Sequence, residues 1–134
     1  MIDVEIFKSE RYFTVFGALV SHGQLLLRSQ KNNVDTNNID IIFYGTVYIQ
    51  LFSRLTGISI KRVRTDTKSL GYNTANEYLS HNGNCLFEIK SNGELYYIAA
   101  SFVKVFENTL EFYETSLNAE NKGMEREIAS SVIK

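Results

Sequence analysis

The chain has no proline and no tryptophan, one cysteine and two histidines among its 134 residues. Without proline there is no PxxP ligand and no stiff Pro-rich linker. The single cysteine, Cys85, cannot form an intramolecular disulfide, and it excludes Cys₄ and Cys₂His₂ zinc sites. A net charge of -1 sets up no general field for nucleic acid or anionic lipid, so any such binding needs a local patch. No stretch approaches the roughly 18 apolar residues of a membrane-spanning helix. The opening Met-Ile-Asp-Val-Glu-Ile-Phe-Lys is acidic before it is basic and has no apolar run, unlike a secretory signal. Cytoplasmic residence, with no membrane role, is the expectation.

What is present is ordinary globular material. Hydrophobic residues make up 44% and charged residues 22%, a balance that excludes general disorder. The length suits one domain spanning residues 1–134. The aromatic share of 13% is all Phe and Tyr, side chains that favour a pleated, half-buried surface.

Extended patterns dominate. Tyr12 to Val20 and Gln24 to Arg28 flank Ser21-His22-Gly23 and read as a hairpin, with Val4 to Phe7 as a short preceding strand. Residues 30–38 are a polar loop. Ile39 to Phe52 is the longest extended segment. Its odd positions Ile39, Ile41, Phe43, Val47, Ile49 and Leu51 form one apolar face, and Gly45 marks a bulge or bend. Leu55-Thr56-Gly57 reads as a turn, and Ile58 to Arg64 alternates again. Residues 74–82 fit either a capped helical turn or a strand over Glu77–Ser80, with the strand preferred. Asn92-Gly93 between Cys85–Lys90 and Glu94–Phe106 predicts a type I′ hairpin, with Ile89 facing Leu95 or Lys90 facing Glu94. Thr109 to Tyr113 reads as another short strand. In the tail, Leu117, Met124, Ile128 and Val132 recur at intervals of seven and four, which predicts a helix over 121–132.

The chemistry-bearing residues form no motif. Cys85 with His81 or His22 is the one conceivable thiol–imidazole pair, yet Cys85 opens an apolar strand, the setting of a packed thiol. Ser21, His22 and Asp40 have the residue types of a triad without a Gly-x-Ser-x-Gly elbow. Asp35 lies in an Asn-rich loop that lacks the calcium-loop pattern, and no Gly-rich phosphate loop exists. Catalytic, metal and cofactor residues are therefore not assigned. Two surfaces are candidate interfaces. One is basic: Lys61, Arg62 and Arg64, with Lys68 and Tyr72 following. The other is the tyrosine row of Tyr44 and Tyr48, read as more suited to burial than to contact.

The expected fold is α+β: a bent antiparallel sheet or partly open barrel of about seven to nine strands with one C-terminal helix. The expected function is non-catalytic protein binding, with a bacterial immunity protein that neutralises a cognate toxin as its specific form. That form rests on analogy of size and character. The alternative is a small-ligand or nucleic-acid-binding β-barrel that uses the basic patch, and an unrecognised enzyme stands third.

Overall fold

A computed structural model describes residues 3–63, 77, 79, 83–117 and 122–132. Nine strands among them form one antiparallel sheet: β1 (Val4–Leu19), β2 (Gln24–Ser29), β3 (Asn38–Tyr44), β4 (Tyr48–Gln50), β5 (Arg54–Val63), β6 (Cys85–Ser91), β7 (Glu94–Ala100), β8 (Phe102–Asn108) and β9 (Arg126–Ser130). The hydrogen-bonded order is β4-β7-β6-β5-β1-β2-β3-β8-β9. The β-rich antiparallel expectation holds, and the sheet is open, ending on β4 and β9.

A double bend rolls this sheet. β3 pairs with β8 and β4 pairs with β7, so residues 38–50 lie along residues 97–108. The first segment bends at Gly45 and the second at Ser101, whose amide donates to the Tyr44 carbonyl at 2.8 Å. Gly45 has φ 64°, and a Cβ there would run into the Ser101 side chain. Both the left-handed backbone and the close approach require glycine. As a result the inner faces of β3 and β6, which have three strands between them in the order, meet: the Phe43 and Phe87 rings lie 5.7 Å apart at 63°. The main core fills this space with Phe13, Leu25, Leu27, Ile41, Phe43, Ile60, Ile89 and Val105, among others.

Two smaller clusters pack on the outside of the sheet. Leu26, Ile42 and Phe106 of β2, β3 and β8 are covered by Leu117 and Met124. Val63, Leu86 and Ala99 of β5, β6 and β7 meet Leu79, with Tyr48 and Tyr97 at the margin. β3 is consequently buried on both faces.

Several local expectations are corrected. The C-terminal helix is absent from the described residues, and Arg126–Ser130 is strand β9 on the edge of β8. A spacing of four fits both periods: Met124, Ile128 and Val132 share a face in a helix and also in a strand. The free edge of β8 and the contacts of Ile128 and Ala129 with the main core decide for the strand. Thr109 to Tyr113 is loop and turn. Asn108 Oδ1 accepts from the Leu110 amide, and Asn38 Nδ2 donates to the Leu110 carbonyl, so side chains replace the ladder. Leu55-Thr56-Gly57 lies inside β5, opposite a register irregularity of β1, and makes no chain reversal. Val4–Phe7 and Tyr12–Leu19 belong to one sixteen-residue strand.

The Asn92-Gly93 turn forms with φ of 51° and 81°, as type I′ requires. Its register is one residue from expectation: Ser91 faces Glu94, Lys90 faces Leu95 and Ile89 faces Tyr96. Of residues 74–82 only Glu77 and Leu79 are described. Both have helical backbone, against the expected strand, and the remainder lies outside the described residues.

Candidate functional site

The outer face of β2, β3 and β8 carries a buried polar network. Arg28 and Asp40 stand opposite each other across β2 and β3, and both side chains are fully buried. The guanidinium grips the carboxylate with two bonds: Nε to Oδ1 at 2.6 Å and Nη2 to Oδ2 at 2.8 Å. Asp40 Oδ2 also accepts from Asn108 Nδ2 at 2.9 Å and Ser116 Oγ at 2.7 Å. The Phe16 ring covers the guanidinium, its centroid 4.1 Å from Cζ. A buried ion pair needs this degree of satisfaction, because desolvation otherwise exceeds the Coulombic gain.

The network reaches the loop that covers it. Arg28 Nη1 donates to the Glu114 carbonyl at 2.7 Å, and Asn108 Nδ2 donates to the Gly123 carbonyl at 3.1 Å. The Arg28 contact fixes one end of a tight turn, Glu111-Phe112-Tyr113-Glu114, closed by a 2.9 Å bond from the Glu114 amide to the Glu111 carbonyl. Glu114 Oε1 accepts from the Glu111 amide, and Lys122 Nζ donates to Oε2. The Glu111 backbone contact, with the Lys122 bond beside it, holds the Glu114 carboxyl below the usual carboxylate range. At the tip, Phe112 and Tyr113 are 71% and 75% exposed. Their rings meet edge to face at 5.6 Å and 82°. Two large aromatic side chains are thus held in solvent on a turn clamped from beneath.

The residues singled out from sequence are scattered. Lys61 and Arg62 lie on opposite faces of β5. Lys61 is exposed in register with Glu5 of β1 and Glu88 of β6, beside a shallow groove of about 390 Å³ that Lys8 and Lys90 also line. Arg62 is half-buried opposite core residue Phe87. Arg64, Lys68 and Tyr72 lie outside the described residues. Among those described, no single basic surface forms. Tyr44 is half-buried and stacks on Phe102 at 4.6 Å and 16°, and burial, with Glu127 nearby, raises its phenol. Tyr48 is half-buried against the other outer cluster. The bend at Gly45 therefore divides the tyrosine row between two clusters.

Ser21 Oγ and His22 Nδ1 are 3.0 Å apart on an exposed turn, while Asp40 is committed to Arg28. The three are not assembled. Cys85 packs half-buried on the main core, where burial pushes its thiol up and the Arg62 charge offsets part of that. His81 lies outside the described residues. Among the described residues, no three His, Cys, Asp or Glu side chains converge on a possible metal position, and no helix is long and apolar enough to cross a membrane.

Comparison with protein families, with characterised proteins and with solved structures finds no match. The aromatic turn was not singled out from sequence, because Leu110 and Phe112 alternate with polar residues as in a strand. The available signal was Asn108 followed by Glu111 and Glu114 at turn spacing.

Proposed function

We propose that this protein is a non-catalytic protein-binding domain that meets its partner through the Phe112–Tyr113 turn. The observation that carries the reading is two neighbouring aromatic side chains, both more than two-thirds exposed, on a turn fixed by a buried arginine. Aromatic anchors dominate interface energetics, and a preorganised loop loses little entropy on binding. Placing such residues in water is unfavourable for a surface that meets nothing. Neutralisation of a cognate toxin by a cytoplasmic immunity protein is the specific role this reading fits. The nucleic-acid alternative is weakened by the opposed faces of Lys61 and Arg62 and by the acidic neighbours of Lys61.

The test is capture of the partner from the native host, followed by quantitative binding to the Phe112→Ala/Tyr113→Ala variant. Affinity should fall by about 2 kcal/mol or more, roughly thirtyfold, with an unchanged melting temperature. For an immunity protein, the same variant should fail to rescue growth when the toxin is co-expressed. A captured oligonucleotide or small molecule in place of a protein, or binding indifferent to both aromatic residues, would overturn the proposal.

A further inference from the structure

We infer that the groove on the outer face of β1, β5 and β6 is an anion site, in which Lys8, Lys61 and Lys90 hold a phosphate group, free or carried by a small ester, over the Ser59 hydroxyl. The site is separate from the Phe112–Tyr113 turn and does not depend on its role.

Register brings these side chains to one place. Lys8 of β1, Ser59 of β5 and Lys90 of β6 stand side by side in one row across three strands. Lys61 follows two residues along β5, on the same face as Ser59. Neighbouring strands lie about 4.8 Å apart, so the Lys8 and Lys90 backbones flank Ser59 at about 10 Å from each other, a span that two lysine side chains close from both sides. All three lysines are exposed. The groove they line measures about 390 Å³, within the range of small-molecule sites.

Lysine on a sheet commonly guards an edge strand against pairing. These three do not, because β6, β5 and β1 lie third, fourth and fifth in the nine-strand order, each hydrogen-bonded on both sides. Nor do they serve surface ion pairs. The other described lysines, Lys31, Lys104 and Lys122, each hold a carboxylate, at 3.6, 3.3 and 3.1 Å. Among the described residues, Lys8, Lys61 and Lys90 hold none, although they share one groove. Three ammonium groups gathered around a hydroxyl repel one another, and a bound oxyanion turns that repulsion into attraction.

The neighbours of the three lysines limit what fits. Glu5 and Glu88 flank Lys61 in the next row, and Glu88 Oε1 accepts from the Tyr97 hydroxyl at 3.1 Å. A polyanion running along Lys61 meets both carboxylates, whereas one phosphate seated between Lys8 and Lys90 keeps to the row that has no carboxylate. Lysine serves phosphate as a point charge, and the serine hydroxyl adds a donor beneath it. Leu95, in register with Lys90 and 44% exposed, gives the organic part of an ester an apolar wall.

Titration with inorganic phosphate and with phenyl phosphate at constant ionic strength, followed by the amide NMR shifts of the intact protein, tests the site. Saturable shifts should centre on Lys8, Ser59, Lys61 and Lys90. Lys8→Gln/Lys90→Gln should weaken binding about tenfold or more with an unchanged melting temperature, since both positions are exposed. Lys104→Gln, at a lysine already paired with Glu127, should leave binding unchanged. Tighter binding of phenyl phosphate would assign an ester as the ligand and equal binding free phosphate, and either upholds the site. No saturable shift, or shifts spread equally over Lys31, Lys104 and Lys122 (an adventitious ion only), would overturn the inference. So would binding indifferent to the double variant, or a single-stranded oligonucleotide that displaces phosphate and shifts residues beyond the groove.

Discussion

Arg28 shows how one side chain can connect core, loop and surface. Its guanidinium uses two nitrogens on Asp40 and the third on the Glu114 carbonyl, so the charge that the carboxylate neutralises also fixes the aromatic turn. Removing one partner leaves the other charge buried and uncompensated. Asp40→Ala should therefore cost about 3–5 kcal/mol in a urea melt, a large part of a domain's total stability. The double replacement Arg28→Met/Asp40→Leu should cost much less, because both desolvation penalties vanish together. Equal losses in the single and double variants would show that packing, and not charge, dominates the site. Little of this was legible in the sequence. Arg28 and Asp40 are two charges inside apolar runs, and a strand read alone places a charge on a solvent face. Only the register of β2 against β3 makes them neighbours, and Phe16 with the segment Glu114–Leu117 covers them.

Among the elements, the Gly45 bend has the largest consequence, since it passes the chain from the β3–β8 pairing to the β4–β7 pairing. Gly45→Ala should destabilise by roughly 2–4 kcal/mol, from left-handed strain together with a Cβ directed at Ser101. Adding Ser101→Gly should recover the steric part and leave the conformational part, a separation that a double-mutant cycle of denaturant melts would read. Full recovery would mean that backbone strain contributes nothing. The bend itself was legible, because a glycine inside a long alternating segment marks a bulge or a sharp change of direction. So was the Asn92-Gly93 hairpin, whose two residues both adopt positive φ. The tail was not legible for a physical reason: Met124, Ile128 and Val132 at four-residue spacing satisfy both periodicities. What decides is an acceptor edge on β8 that no local pattern announces. The turn at 111–114 was hidden in the same way, behind alternation that side chains of Asn38 and Asn108 interrupt.

For the whole molecule, the rolled sheet produces an uneven distribution of stability. Residues 38–43 of β3 are all buried, between the main core on one face and the Leu26–Ile42–Phe106 cluster with the Arg28–Asp40 network on the other. β4, on the same stretch of chain, is three residues long, with one neighbouring strand among the described residues and largely exposed side chains. Opening β3 exposes two packed layers, whereas opening β4 exposes almost none, so their local unfolding free energies should differ widely. Native-state amide exchange at low protein concentration should find β2, β3 and β8 among the slowest segments, exchanging only by global unfolding. β4 should exchange orders of magnitude faster through local opening. Protection of β4 equal to that of β3 would mean that the two segments open together as one cooperative unit.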